Sequence, residues 1–94
     1  MQAAYERMIL DFCKWLDGAG GTVISANTTE GAIPPVFAQT PGGELAFYFV
    51  LPAGQDRLTE EQGTAFLEAA KHHAVLPLLA HLDKDGSEPR IERM

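Results

Sequence analysis

Few side chains in this 94-residue sequence are spaced for chemistry. His72 and His73 are adjacent, and His81 follows later in the chain. Neighbours on a helix point about 100° apart, so the pair makes a poor joint metal ligand. Histidines closing a helix are favoured by its dipole, and that is the expected role. Asp83, Asp85 and Glu88 flank Gly86 in a faint likeness of a calcium loop. Such a loop needs more oxygens and a terminal bidentate glutamate, so an exposed acidic turn is the expected reading. Cys13 is the single cysteine, which excludes an internal disulfide and a cysteine-rich zinc site. No base adjoins it in sequence, so a buried or half-buried structural thiol is expected. Gly18-Ala19-Gly20-Gly21 follows a helical pattern and precedes a strand pattern. That is the reverse of the order a phosphate cradle needs, and the segment reads as a turn.

The elements that must position these groups are legible. Tyr5, Met8, Ile9, Phe12 and Leu16 share one face of a helix from about Gln2 to Asp17, with Glu6, Arg7, Asp11 and Lys14 mostly opposite. Trp15 falls off that stripe, either as an interface aromatic or folded over a sheet edge. Thr22 to Ala26 reads as a strand, and Val36 to Gln39 as a second, entered through Pro34 and Pro35. Thr40-Pro41-Gly42-Gly43 fits a type II turn. Leu45 to Leu51 is continuously apolar, as in a central strand covered on both faces. Thr59 and Gln62 form a capping box that opens a second helix, whose Phe66, Ala69, Ala70 and His73 continue one face. Val75 to Leu82 is a fourth strand, interrupted by Pro77, followed by the polar turn Asp83 to Ser87. Arg90 to Met94 either adds an edge strand or frays. The fold class expected is α/β, more narrowly an α+β mixed sheet in a single domain over residues 1–94. Its order is α-β-β-β-α-β(-β), with a right-handed crossover making strands three and four parallel.

This order, with its local signatures, resembles the PD-(D/E)XK nuclease superfamily, in particular the Holliday junction resolvases and the small virus-type replication-repair nucleases. Ala4-Tyr5-Glu6-Arg7 through Leu16 to Gly20 looks like the family's glutamate-bearing first helix. Ile33-Pro34-Pro35-Val36-Phe37-Ala38 stands where such nucleases have Pro-Asp and an apolar strand, and Ala46 to Val50 where they carry Glu-x-Lys. Asp56 to Gln62 is similar to the opening of their second helix, and His72 to Ala80 to their fourth strand. The resemblance implies a restriction-endonuclease-like core. It also implies an Asp and a Glu on a divalent cation with a Lys beside them. Here the Asp place is Pro35, the Glu place is Tyr48 and the Lys place is Val50, while Glu6 keeps the helix carboxylate. The implied outcome is the fold without the catalysis and without a cofactor. Filling a polar pit with Tyr and Val stabilises the strand, by roughly 1.5–3 kcal/mol for each fully buried side chain.

Thirteen Asp and Glu against seven Lys and Arg leave a formal charge of −6. This argues against general nucleic-acid binding, which needs clustered cations. The carboxylates, among them Glu30, Glu44, Asp56, Glu60, Glu61 and Glu68, are spread along the chain. They either solvate the surface or imitate the charge of a nucleic acid. No apolar run is long enough to span a membrane, and Glu6 and Arg7 interrupt the first ten residues unlike a secretory signal, so a cytoplasmic location is expected. The leading expectation is a small acidic interaction protein that binds another protein or pairs with itself as a homodimer. One concrete form is a phage- or mobile-element-encoded inhibitor of a nucleic-acid-targeting complex, such as an anti-CRISPR protein. Tyr5, Trp15, Glu60, Glu61 and Glu68 are the interface candidates. The rival is a divergent metal-dependent nuclease with a relocated site, Glu6 with Glu30 and Asp56, and Lys14 or Lys71 replacing the lost lysine. A third reading is a non-catalytic nucleic-acid-binding remnant.

Overall fold

The computed structural model describes residues 2–84 and 88–94. The elements run α1 (Gln2–Gly18), β1 (Thr22–Ala26), β2 (Val36–Gln39), β3 (Leu45–Leu51), α2 (Glu60–His73), β4 (Leu76–His81) and β5 (Arg90–Arg93). The sheet order is β1-β2-β3-β4-β5. β3 and β4 are parallel, and the other neighbouring pairs are antiparallel. The α+β class, the order of elements and the parallel crossover are as expected from the sequence, and Arg90–Arg93 forms the edge strand.

β3 explains the layering. Its side chains alternate across the sheet. Ala46, Tyr48 and Val50 pack with Ile9, Phe12 and Leu16 of α1. Phe47, Phe49 and Leu51 pack with Phe66 and Ala70 of α2. A strand covered on both faces needs no polar alternation, which is why it reads as one apolar run.

The ends of the helices are fixed by local chemistry. α1 closes with Gly21 N–H donating to the Leu16 carbonyl at 3.0 Å and Gly20 N–H to the Asp17 carbonyl at 3.2 Å, with Gly20 at φ 101°. That is a Schellman cap, and it turns the chain straight into β1. At α2, Thr59 Oγ1 accepts from Gln62 N–H and Gln62 Oε1 accepts from Thr59 N–H, both at 3.1 Å.

Two expectations are corrected. The β2–β3 turn is not type II, because Gly42 lacks the positive φ that type demands; Gly43 has it, at 92°. Gly43 N–H donates to Thr40, and Thr40 N–H donates to Glu44. This is a three-residue hairpin loop with its left-handed residue last. Nor does Pro77 interrupt β4, which runs through it in register with Phe47. The Pro77 carbonyl accepts from Met94 N–H, so its missing N–H also faces β5, where that strand ends, and the β3 ladder is untouched. Of the acidic turn, residues 85–87 lie outside the described residues.

Candidate functional site

The face of β3 that packs under α1 is where the family resemblance would put a metal. Tyr48 and Val50 both point there. The β2 residue opposite Tyr48 on this face is Val36, not Pro35. Pro35 is buried one place earlier, where its carbonyl accepts from Asn27 N–H at 2.7 Å. Val36 and Tyr48 are at most 1% exposed and Val50 is 2%. The Phe12 ring lies 5.2 Å from that of Tyr48. Burial raises the Tyr48 phenol above its ordinary pKa. A divalent cation needs several hard oxygen donors, and this patch supplies one neutral phenol among aliphatic and aromatic carbon. The residues do not fit the implied metal.

Glu6 sits apart from this face. It is exposed on the outside of α1, beside Arg7 and Leu10. The relocated site is not assembled either. Glu30 lines a groove beside Val50, Asp56 lines another with His81 and Arg90, and Glu6 lines neither. Lys14 is exposed on α1 and Lys71 in the last turn of α2, on opposite sides of the sheet. Among the described residues no three His, Cys, Asp or Glu side chains gather closely enough to hold a metal ion. The His72 and His73 rings stand perpendicular at 5.1 Å, and the His73 ring lies 5.4 Å from that of Phe47. Cys13 is half-buried against the α1 core, and burial raises its thiol pKa. No protein-family model matches the chain, and no curated protein matches it significantly.

Two grooves flank α1 and share Met8. The first, about 460 Å³, is walled by Tyr5, Ile33, Val50 and Pro52, with Glu30 at its edge. The β1–β2 loop presents Glu30 through a local fold. Asn27 Oδ1 accepts from Thr29 N–H at 2.9 Å, and Gly31 takes φ 93°. Burial first, and the nearby Glu30 charge second, raise the Tyr5 phenol pKa. The second groove, about 330 Å³, lies between α1 and the residues Leu82, Asp83, Glu88 and Pro89, with Trp15 in its wall. Trp15 is half-buried, its ring tilted 31° over Phe12 at 5.8 Å.

The five interface candidates therefore divide. Glu60, Glu61 and Glu68 share a shallow concavity on the exposed side of α2. Tyr5 and Trp15 stand in separate grooves on the other side of the sheet. Asp11, Asp83 and Glu88 were not among the candidates, yet all three line the Trp15 groove. Asp11 carried a local signal, since it lies four residues before Trp15 on the same helix. Asp83 and Glu88 read in the sequence only as parts of an exposed acidic turn, because the sheet order alone brings them to α1.

Proposed function

We propose that this protein is a non-catalytic interaction module, a pseudoenzyme on a nuclease-like scaffold that works by binding another protein. One observation carries the reading: Val36, Tyr48 and Val50 fill with carbon the face where the resemblance implies an acid pair and a lysine. Reopening that face to ions would require burying carboxylates in an apolar plane, which is strongly unfavourable without paired cations. The formal charge of −6 supports a basic protein partner over a nucleic acid. A phage- or mobile-element inhibitor of a nucleic-acid-targeting complex is one form this module can take, supported by its negative charge. Self-pairing is a second form.

The test is direct. The purified protein is incubated with branched, duplex and single-stranded DNA and with RNA, in magnesium or manganese. No cleavage is expected. Metal-dependent cleavage that disappears in Glu6→Ala or Glu30→Ala would overturn the proposal.

A further inference from the structure

We propose that the groove between α1 and the residues Leu82, Asp83, Glu88 and Pro89 seats a cationic side chain, arginine or lysine, presented by a basic segment of a partner protein. The inference deepens the interaction role above and rests on it. The groove has an apolar floor and wall of Met8, Phe12, Trp15, Leu82 and Pro89. Its rim carries Asp11, Asp83 and Glu88, all exposed. No Lys, Arg or His is among the described residues lining it. Among the described residues the one ion pair is His81 with Glu92, so none of the three rim carboxylates is held in one, although Asp83 also lines a neighbouring groove with Lys84 and Arg90, and Asp11 a concavity with Arg7.

The ligand class follows from how these groups are arranged. The carboxylates do not converge as a metal ion would require. They are spread around an aromatic wall, which suits a larger cation with several donors. Tryptophan is the best ring for a cation–π contact. The Phe12 ring lies 5.8 Å from that of Trp15, tilted 31°, in the same groove lining. An arginine or lysine stem covers apolar surface while its charged head stays at the polar rim, and this groove offers both. A guanidinium can also meet more than one carboxylate at once. The other concave surfaces lack the combination: the Asp56 groove holds Lys84, Arg90 and His81, and the concavity beside Glu6 holds Arg7, both without a Trp, Tyr or Phe ring. The Tyr5 groove has Glu30 alone, and Glu30 is already engaged within the fold. The α2 concavity has three carboxylates but no aromatic ring.

Trp15 is the only tryptophan in the chain, so its fluorescence reports this groove directly. The full-length protein is titrated at low salt with a blocked peptide carrying two arginines, and with its twin carrying citrulline at both places. A saturable emission change is expected with the arginine peptide and none with the twin. The double variant Asp83→Asn, Glu88→Gln should weaken binding on the order of tenfold. A second double variant, Asp17→Asn with Glu44→Gln, removes equal charge from outside the groove and should leave the affinity unchanged. All four positions are exposed, so folding is not at stake. Three results would overturn the proposal: no saturation, an equal response to the citrulline twin, or equal weakening in both double variants. Such a failure without nuclease activity leaves the interaction role standing on another surface. Nuclease activity with peptide binding intact would overturn that role and keep the groove.

Discussion

Tyr48 heads the largest side chains withdrawn from water among the described residues, at 1% exposure. Its phenol makes no hydrogen bond to a described residue, so its contribution is packing against Phe12 and its neighbours in the α1 core. Tyr48→Phe should therefore change stability by less than about 1 kcal/mol, whereas Tyr48→Ala should cost about 3–5 kcal/mol through the cavity it leaves. Urea unfolding measures both; a loss on Tyr48→Phe as large as that on Tyr48→Ala would reveal a role for the hydroxyl. Alkali offers a second measurement. Tyr5, Cys13 and Tyr48 all have raised pKa values, each chiefly through burial. Each is neutral when protonated, so the native state holds these protons more tightly than the unfolded chain. Their contribution is whole below the ordinary values of 9.0 for the thiol and 10.0 for the phenols, and is lost as pH rises through the raised values. Denaturation midpoints should fall above pH 9, and Cys13→Ala should flatten the first part of that fall. The apolar filling at Tyr48 and Val50 was legible because β3 has no charged residue. That Val36 rather than Pro35 faces Tyr48 depends on strand register, which a one-residue slip inverts.

At the scale of elements, the α2 cap poses a sharper question than the α2 face. Ala74 closes the helix at φ 55°, ψ 45°, a left-handed conformation in which its Cβ is strained. Its N–H still reaches back to the Ala70 and Lys71 carbonyls. Glycine adopts this conformation freely, so Ala74→Gly should raise stability by about 1 kcal/mol, despite the extra freedom it gives the unfolded chain. A calorimetric midpoint that drops instead would mean that the Ala74 methyl packs usefully. The opposite end gives the control: Thr59→Ala removes one side of the capping box and should cost about 1 kcal/mol. Gly21 is the intolerant position. A Cβ there would stand 2.8 Å from Leu16 side-chain carbons and 3.0 Å from the Gln39 carbonyl, so Gly21→Ala forces the Leu16 side chain or the backbone around Gly21 to shift. The Thr59 box and the glycines closing α1 were readable because capping is written in adjacent residues. Ala74 was not, because nothing in its type marks a left-handed turn. Pro77 was misread because the cost of a missing N–H depends on which neighbour it faces.

For the molecule as a whole, size and charge decide which partners can approach. Its largest dimension is 33 Å. The Debye length is about 30 Å at 0.01 M salt and about 8 Å at 0.15 M. A polyanion approaching any face in dilute salt therefore feels the whole formal charge of −6, carboxylates on the far side included. At 0.15 M it feels only the face in front of it. The seven Lys and Arg are divided among α1, the loop before α2, the end of α2, the β4–β5 connection and β5, so no element concentrates them. The chain order made α1, the strand meander and the crossover readable. It could not show that Asp83 and Glu88 line one groove with Trp15, because that juxtaposition arises only when β4 takes its place in the sheet. Charge repulsion and the scattered cations give the same expectation for nucleic acid at both salt concentrations: no measurable affinity for a labelled duplex or four-way junction by fluorescence anisotropy. A basic protein partner should behave oppositely, its association rate falling steeply between 0.01 and 0.15 M salt as steering is screened, while its dissociation rate changes little. A junction affinity that appears at low salt and falls away with a steep logarithmic slope would identify a cationic face and favour the nucleic-acid-binding remnant.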